Sequence, residues 1–303
     1  MNKLQAMEVF VQVVDAGGFT RAAENLQMPK ATVSTLVQSL EQTLAVKLLH
    51  RTTRQVHVTA DGAAYYERCL RILSDVKEAE ESLSTNRLSP SGRLRIDVST
   101  GLANNLLIPR LPEFFASYPD IRLDMGCGDR PVDLIEEGVD LAIRGGALPD
   151  SGLIARRLGM LDFVTCASPA YIAKRGRPGH PGDLVHHQCV NYFSSVTGKV
   201  QDWDFSRDGE TLNIPTPACL AVNDSTVYTR AGVAGLGIVQ LVTMVAEPLI
   251  KSGRMERILP EWSTAPLPVN AVYPQNRHLS AKVRVFVEWV ADLFVALPQQ
   301  GKN

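Results

Sequence analysis

The first 89 residues of this 303-residue chain hold one proline, Pro29, and three glycines, Gly17, Gly18 and Gly62. Such a shortage of breakers argues against a loop-rich start and permits long helices. No apolar run approaches the roughly 18 residues that a membrane helix needs. Glu8, Gln12 and Asp15 interrupt the N-terminal stretch, so it does not read as an export signal, and no membrane partner is expected. The five cysteines Cys69, Cys127, Cys166, Cys189 and Cys219 are odd in number, widely spaced and without a C-x-x-C. That argues against a disulfide framework or a zinc knuckle and suits the reducing cytoplasm. Neither sign of charge dominates: 31 Lys and Arg face 32 Asp and Glu, for a net charge of −1. Bulk positive charge is therefore excluded as a grip on nucleic acid, while a local basic surface is not.

The length points to about two domains, and 45% hydrophobic with 21% charged residues is an ordinary globular balance. The other 17 prolines all lie beyond residue 89, where short strand-like and helix-like runs alternate. Ser89-Pro90-Ser91-Gly92 reads as a hinge loop between the two parts.

The N-terminal part reads as three helices. Leu4, Met7, Val11 and Val14 recur at helical spacing from about Lys3 to Ala16, and Gly17-Gly18 ends that helix. Thr20 is placed to cap the next, which carries the small residues Ala22 and Ala23. The third has the sharpest pattern: Val33, Leu36, Val37, Leu40 and Leu44 form one apolar face. Its opposite face carries Lys30, Ala31, Thr32, Ser34, Thr35 and Gln38, short groups suited to a major groove, although a solvated helix face looks the same. After Leu48-Leu49 comes His50-Arg51-Thr52-Thr53-Arg54-Gln55, then alternating Val56-His57-Val58, a ribbon with a cationic tip. Between residues 28 and 58 four cations, Lys30, Lys47, Arg51 and Arg54, face one acid, Glu41. Three helices and a basic ribbon describe a winged helix-turn-helix that binds double-stranded DNA.

These segments resemble a known family. Phe10 to Val14, Gly18-Phe19-Thr20-Arg21-Ala22-Ala23, Leu40-Glu41, Val46 to Arg54 and Val58-Thr59-Ala60-Asp61-Gly62 are similar to the N-terminal signature of LysR-type transcriptional regulators. The likeness continues through Arg144-Gly145-Gly146 and Arg156-Arg157-Leu158-Gly159, with wording most like the CrgA- and AaeR-like branch. The resemblance implies that Arg21 belongs to the DNA-binding head and that Lys30, Ala31, Thr32, Ser34, Thr35 and Gln38 lie on a recognition helix. It implies that the wing residues Arg51, Thr52, Thr53 and Arg54 meet phosphate or minor groove. Many relatives carry Arg or Gln in place of Thr35, so base preference is expected to differ. Relatives usually carry Gly in place of Ala45, and a non-glycine disfavours a left-handed cap, so the recognition helix is expected to end differently here.

From Asp61 to about Arg87 the chain reads as one long helix. Tyr65, Cys69, Ile72, Val76, Ala79 and Leu83 alternate at spacings of four and three, a heptad seam that suits a dimer, with packing on its own domain as the alternative. In the family such a helix pairs two subunits, which implies an inverted-repeat operator and dimers or tetramers. Contact with RNA polymerase is left open.

Beyond residue 92 the predicted strands are Leu94–Val98, Ile121–Met125, Leu141–Ile143, Asp162–Ala167, Ala218–Val222, Ile238–Leu241 and Val269–Tyr273. Helices are predicted from Asn104 to Tyr118, from Val132 to Glu137, from Pro169, from Ser225, up to Ile250 and from Ala281 to Leu297. The alternation predicts mostly parallel sheets with ligands at the carboxyl ends of strands. The expected fold class is thus α plus α/β. The expected division is a winged helix-turn-helix over 1–59, a linker helix over 60–88, a hinge over 89–92, one lobe over 93–162 and 268–299, and a second over 163–267. The resemblance implies that the two lobes are like type II periplasmic binding proteins, with a small-molecule effector between them. Candidate contacts are Ser99, Thr100, Arg144, Phe193, Asn223 and Gln240, and the first three suit an anionic organic acid. Arg144 alternatively bridges to Asp129, and Ser99 alternatively only caps a helix.

Other features suggest chemistry less strongly. His180, His186 and His187 lie in a Pro/Gly-rich loop, where hydrogen bonding outweighs metal binding. Cys127, Cys166, Cys189 and Cys219 raise the alternative of a redox-sensing regulator, against the commoner reading of buried small hydrophobes. Gly232, Gly235 and Gly237 end a helix and feed a strand, the reverse of a dinucleotide loop. No nucleophile elbow, phosphate loop or metal-ligand cluster is present, so neither an enzyme nor a cofactor is expected. A solute-binding protein without a DNA role is the remaining alternative.

Overall fold

The computed structural model describes residues 2–51, 56–83, 90–146, 153–274 and 279–297, with the backbone alone at 51 and 77–83. The chain divides into two compact units, Met1–Leu88 and Ser89–Asn303.

The first unit opens with helices α1 (Lys3–Asp15), α2 (Phe19–Asn25) and α3 (Lys30–Leu44). A two-stranded antiparallel ribbon of β1 (Leu49–Arg51) and β2 (Val56–Val58) follows, then the long α4 (Ala60–Leu83). Gly17, at φ 67°, turns the chain after α1. Thr20 lies inside α2, whose cap position is Gly18, so the expected Thr20 cap does not form. Phe10, Val13, Val33, Val37, Leu40, Leu48 and Leu49 close the core, with Ala22 and Ala23 permitting tight helix contact.

The second unit begins with β3 (Gly92–Val98), the short α5 (Thr100–Leu102), α6 (Leu111–Ser117), β4 (Ile121–Cys127), β5 (Leu141–Gly145) and β6 (Leu153–Leu161). It continues through β7 (Phe163–Ala167), α7 (Pro169–Arg175), β8 (Cys189–Tyr192), β9 (Trp203–Arg207), β10 (Glu210–Ile214) and β11 (Ala218–Val222). It closes with α8 (Ser225–Val233), β12 (Val239–Val242), α9 (Thr243–Lys251), β13 (Glu256–Arg257), β14 (Leu267–Pro274) and α10 (Ala281–Val295).

The strands gather into two lobes. The first is a five-stranded sheet in the order β4-β3-β5-β14-β6, whose core faces α6 and α10 through Phe114, Phe286 and Val290. Phe114 meets Phe286 edge-on at 5.2 Å, an arrangement that the aromatic quadrupole favours. The second holds the antiparallel set β12-β7-β13, the parallel pair β8–β11 and the hairpin β9–β10. A parallel bridge from Cys189 to Ile238 ties β8 beside the start of β12. The chain crosses between lobes at Asp162 and returns on β14.

Several expectations change. The sheets are mixed: β3 runs parallel to β4 and β5, whereas β14 runs antiparallel to β5 and β6. The single helix expected over 104–118 is broken into a π-helical turn at Ala103–Leu107, a 3-10 turn at Ile108–Arg110, and α6. Pro109 and Pro112 offer no N–H there to continue one α-helical ladder. The helix expected over 132–137 is one turn capped by Asp133, whose Oδ1 accepts from Ile135 and Glu136. Gly138, at φ 65°, closes it. The hairpin of β9 and β10 turns on Asp208-Gly209, both in the left-handed region, as a tight two-residue hairpin requires.

Candidate nucleic-acid interface and interlobe site

Helix α3 is amphipathic, with Val33, Val37 and Leu40 buried and Lys30, Ala31, Thr32, Thr35 and Gln38 exposed. Ser34 is half-buried, and Arg21 on α2 is exposed. Thr35 Oγ1 donates back to the Ala31 carbonyl at 2.9 Å, leaving its methyl and an oxygen lone pair outward. In β1 and β2, Leu49 pairs with Val58, His50 with His57 and Arg51 with Val56. Thr52, Thr53 and Arg54 lie outside the described residues, as does the Arg51 side chain.

What joins the helix to the ribbon is Glu41, which is 3% exposed. Its Oε1 accepts from the Leu48 and Leu49 N–H groups at 3.0 and 3.2 Å, and its Oε2 accepts from Lys47 Nζ at 2.8 Å. Burial pushes the Glu41 carboxyl up, but the Lys47, Leu49 and Leu48 hydrogen bonds outweigh it and hold the group below the ordinary glutamate value. The other side of the joint is Thr59. Its hydroxyl lies 2.8 Å from the Lys47 carbonyl oxygen, where it donates, and accepts from the Gly62 N–H at 2.8 Å, so it caps α4. A Cβ at Gly62 would fall on the Leu48 carbonyl oxygen, which explains the glycine. In the sequence Glu41 stood out only as the one acid among four cations, Gly62 only as a rare glycine, and Thr59 only within a matching segment. Their signal was an acid and a small residue flanking a basic ribbon.

Ala45 corrects one expectation. It caps α3 in the left-handed region at φ 54° and ψ 28°, so this chain uses the same cap geometry without glycine. The Val46 N–H reaches the Glu41 carbonyl at 3.2 Å, which holds Ala45 in place.

The heptad positions on α4 divide. Cys69 is fully buried in the first unit's own core, and Tyr65 packs there with its ring 5.9 Å from that of Phe10. These two positions therefore serve the alternative role of packing α4 on its own domain. Ile72 is exposed and Val76 half-buried, while the side chains of Ala79 and Leu83 lie outside the described residues.

Between the two lobes Thr100 and Asn223, with Tyr192 beside Phe193, share a hydrogen-bond network centred on a residue that the sequence offered only as a partner of Arg144. Asp129, on the loop after β4, accepts from the Thr100 N–H at 3.2 Å on Oδ1. Its Oδ2 accepts from the Ser225 N–H at 2.7 Å and lies 2.9 Å from the Tyr192 hydroxyl. That hydroxyl also lies 3.0 Å from the Asn223 carbonyl oxygen, so its single proton serves either acceptor. Phe193 follows Tyr192 and is held by its N–H on the Val222 carbonyl at 2.9 Å. Tyr192 meets Tyr228 edge-on at 5.8 Å, and the Tyr228 hydroxyl accepts from the Gln240 N–H at 3.0 Å. Burial, with the Asp129 charge adding to it, pushes the Tyr192 hydroxyl up, so it stays a neutral donor. Ser99 sits at the cap position of α5 without a side-chain cap bond, and its carbonyl accepts from the Ala103 N–H.

Arg144 does not reach Asp129. It pairs with Asp97 on the neighbouring strand β3 and donates to the Arg130 carbonyl at 3.2 Å. It therefore fastens the loop that carries Asp129. Gly126 makes room, since a Cβ there would lie 2.6 Å from Asp97 Oδ2. Burial lowers the guanidinium to about 10, which still leaves it charged at neutral pH. Buried polar atoms near this network that lack a hydrogen-bond partner include Arg144 Nε, Ser225 Oγ, Gln240 Nε2 and Thr165 Oγ1. Thr165 faces Gln240 directly across β7 and β12.

The remaining candidates have local roles. His180 Nδ1 accepts from the Gly182 N–H, and the ring stands edge-on to Trp262 at 5.1 Å. His187 Nδ1 lies 3.1 Å from the Tyr171 hydroxyl. Among the described residues no three His, Cys, Asp or Glu side chains gather as a metal would need. Burial pushes the Cys166 and Cys189 thiols up to about 12, which suppresses the thiolate that a sensor requires. Cys127 and Cys219 are exposed and unpaired. Gly232 lies at the end of α8, Gly235 and Gly237 link α8 to β12, and a Cβ on Gly237 would lie 2.8 Å from the Gln188 carbonyl oxygen.

Residues 4–63 match the model of bacterial regulatory helix-turn-helix proteins of the lysR family. Residues 87–295 match that of the LysR substrate binding domain. A transcriptional repressor of Pseudomonas aeruginosa is 40% identical over 99% of this chain and 94% of its own. The transcriptional activator AaeR of Escherichia coli is 36% identical over 97% and 95%. The solved structure of CrgA, a LysR-type transcriptional regulator from Neisseria meningitidis, is 35% identical with a TM-score of 0.60, covering 96% of this chain and 98% of that one. Matched at both ends, and with the winged head and two-lobed unit that those ends require, this chain belongs to the LysR family of transcriptional regulators, with a DNA-binding head and an effector-binding domain.

Proposed function

We propose that the chain binds an inverted-repeat DNA operator as a dimer of dimers and that a small organic acid in the interlobe seam changes that binding. The observation that carries the reading is the Glu41 joint, which fixes the exposed face of α3 beside a basic ribbon. In this reading Lys30, Ala31, Thr32, Ser34, Thr35 and Gln38 meet base edges and backbone in the major groove. Arg21, Arg51, Thr52, Thr53 and Arg54 meet phosphate or minor groove. Self-association uses α4 from Ile72 onward. Ser99, Thr100, Phe193, Asn223 and Gln240 line the effector site, with Arg144 supporting it from behind. An effector favouring one lobe arrangement shifts the population of DNA-binding states, so control needs no catalysis and no cofactor. A cytoplasmic site of action and contact with RNA polymerase belong to the same reading. The named relatives include both a repressor and an activator, so the sign of control is a matter for experiment.

The test is fluorescence anisotropy on DNA from upstream of the chain's own gene, titrated with salt. Arg51→Ala is expected to weaken binding to all sequences and to lower the salt slope by about 1, the loss of one phosphate contact. A slope that stays the same removes Arg51 from the interface. A thermal-shift screen of organic acids, with each hit retested for its effect on DNA affinity, identifies the effector.

A further inference from the structure

The donors around Asp129 come from widely separated stretches: Thr100 in the first lobe, and Tyr192 and Ser225 in the second. The main-chain carbonyl of Asp129 also accepts from Ser195 Oγ at 3.2 Å, a further link to the second lobe. Helix α8 turns its positive end toward this point, and its own cap, Asp224, engages the Val227 N–H at 2.8 Å and leaves Ser225 N–H to Asp129. The lobes are close: a Cβ on Gly101 would lie 3.1 Å from Ser225 Oγ. The loop bearing Asp129 is pinned by Arg144 on the Arg130 carbonyl and by the Gly128 N–H on the Val98 carbonyl at 3.1 Å.

We propose that Thr100 N–H, Ser225 N–H and the Tyr192 hydroxyl form a carboxylate socket that the chain fills with its own Asp129, and that an effector carboxylate enters by replacing it. The proposal deepens the effector reading above and rests on it for the word effector. Two carboxylates do not share three donors, because each oxygen needs its own and the like charges repel at such range. An occupied socket is also cheaper than an empty one, since buried N–H groups facing no acceptor lose their solvation without return. Exchange of one carboxylate for another is nearly neutral in charge and in hydrogen bonds. Selectivity therefore falls to the rest of the ligand. A second acceptor fits the unpaired Gln240 Nε2, and an apolar or aromatic body fits Phe193. Thr165, 4% exposed with its hydroxyl unpaired opposite Gln240, extends the same demand for a polar ligand group.

The experiment is thermal unfolding of the full chain in sodium acetate or formate against sodium chloride at equal ionic strength. Asp129→Ala is expected to melt below the wild type and to regain stability in acetate along a saturating curve. The wild type, whose socket stays filled, shows no acetate effect beyond chloride. Adding Tyr192→Phe to Asp129→Ala is expected to weaken the apparent acetate affinity about tenfold, the value of one hydrogen bond to a charged group. Asp129→Ser, which also empties the socket, repeats the comparison should the alanine variant fold poorly. The proposal is overturned if acetate does no more than chloride for both emptied variants, if the wild type responds equally, or if neither variant folds even in acetate. No effector or DNA enters the measurement, so its failure leaves the effector reading standing.

Discussion

Each unit of this chain is organised by a carboxylate that collects main-chain N–H groups and one side-chain donor. In the first unit Glu41 finds its donors six, seven and eight residues ahead, at Lys47, Leu48 and Leu49. In the second, Asp129 finds them 29, 63 and 96 residues away, at Thr100, Tyr192 and Ser225. The short-range clamp forms once one helix and one turn exist and keeps a DNA-reading surface rigid. The long-range clamp is completed only when two lobes meet, through Tyr192 and Ser225, so anything that alters their approach alters it. Rigidity suits a part that must match a fixed duplex, and a bond across a seam suits a part that must respond to a ligand.

The largest effect is expected where the second unit depends on a buried pair. Asp97→Ala leaves the Arg144 guanidinium buried without its counter-charge, and should cost about 4 kcal/mol in denaturant unfolding of that unit. A cost below about 1 kcal/mol would mean that the long-range side does not rely on this pair to hold the Asp129 loop. Glu41→Ala exposes the matching dependence in the first unit. It strands two buried N–H groups and should cost about 3 kcal/mol there, with loss of DNA binding. The pH dependence sharpens the point. Because the folded Glu41 carboxyl sits below 4.5, its contribution is complete above that value and is lost as pH falls through the lower folded one. Glu41→Gln should remove this part of the acid sensitivity, as read by unfolding midpoints across pH.

Smaller effects test how tightly the first unit is set. Ala45→Gly relieves a left-handed alanine and should stabilise the unit by about 1 kcal/mol without changing operator preference. An unchanged or lower midpoint would show that the Val46 bond to Glu41 already offsets the strain. Thr35→Ala should move stability by no more than about 0.5 kcal/mol, since its hydroxyl bonds only to Ala31 on an exposed face. Its effect should appear in base preference, measured by selection from randomised duplexes.

The first unit was largely legible in the sequence because its determinants are local. The apolar face of Val33, Val37 and Leu40, the Gly17 turn and the Val56-His57-Val58 alternation each follow from neighbours within a few residues. The failures there were also local: Thr20 lost its capping role to Gly18, and Ala45 kept a geometry that its side chain disfavours. In the second unit β3, β4, β11 and α8 were visible from apolar runs and flanking turns. The strands β6, β8 and β9 were not, for exposed Arg156 and Arg157 on β6 carry no alternation and β8 is too short to signal itself. Of the interlobe candidates, Thr100 and Asn223 take part in the Asp129 network, yet Asp129 itself was weighed only as a partner of Arg144. Nothing local distinguishes that aspartate from any other acid in a loop.

The sequence by itself determined the helix-turn-helix head, the basic ribbon and the change from helical to α/β chain at residue 89, because periodicity, breakers and charge act over a few residues. Tertiary structure alone decided that Cys69 belongs to a core, that Arg144 turns to Asp97 and that Asp129 closes the seam between lobes. Those outcomes depend on which groups share a small buried volume and must find partners there. Chain separations of 29 to 96 residues carry no local trace of that competition.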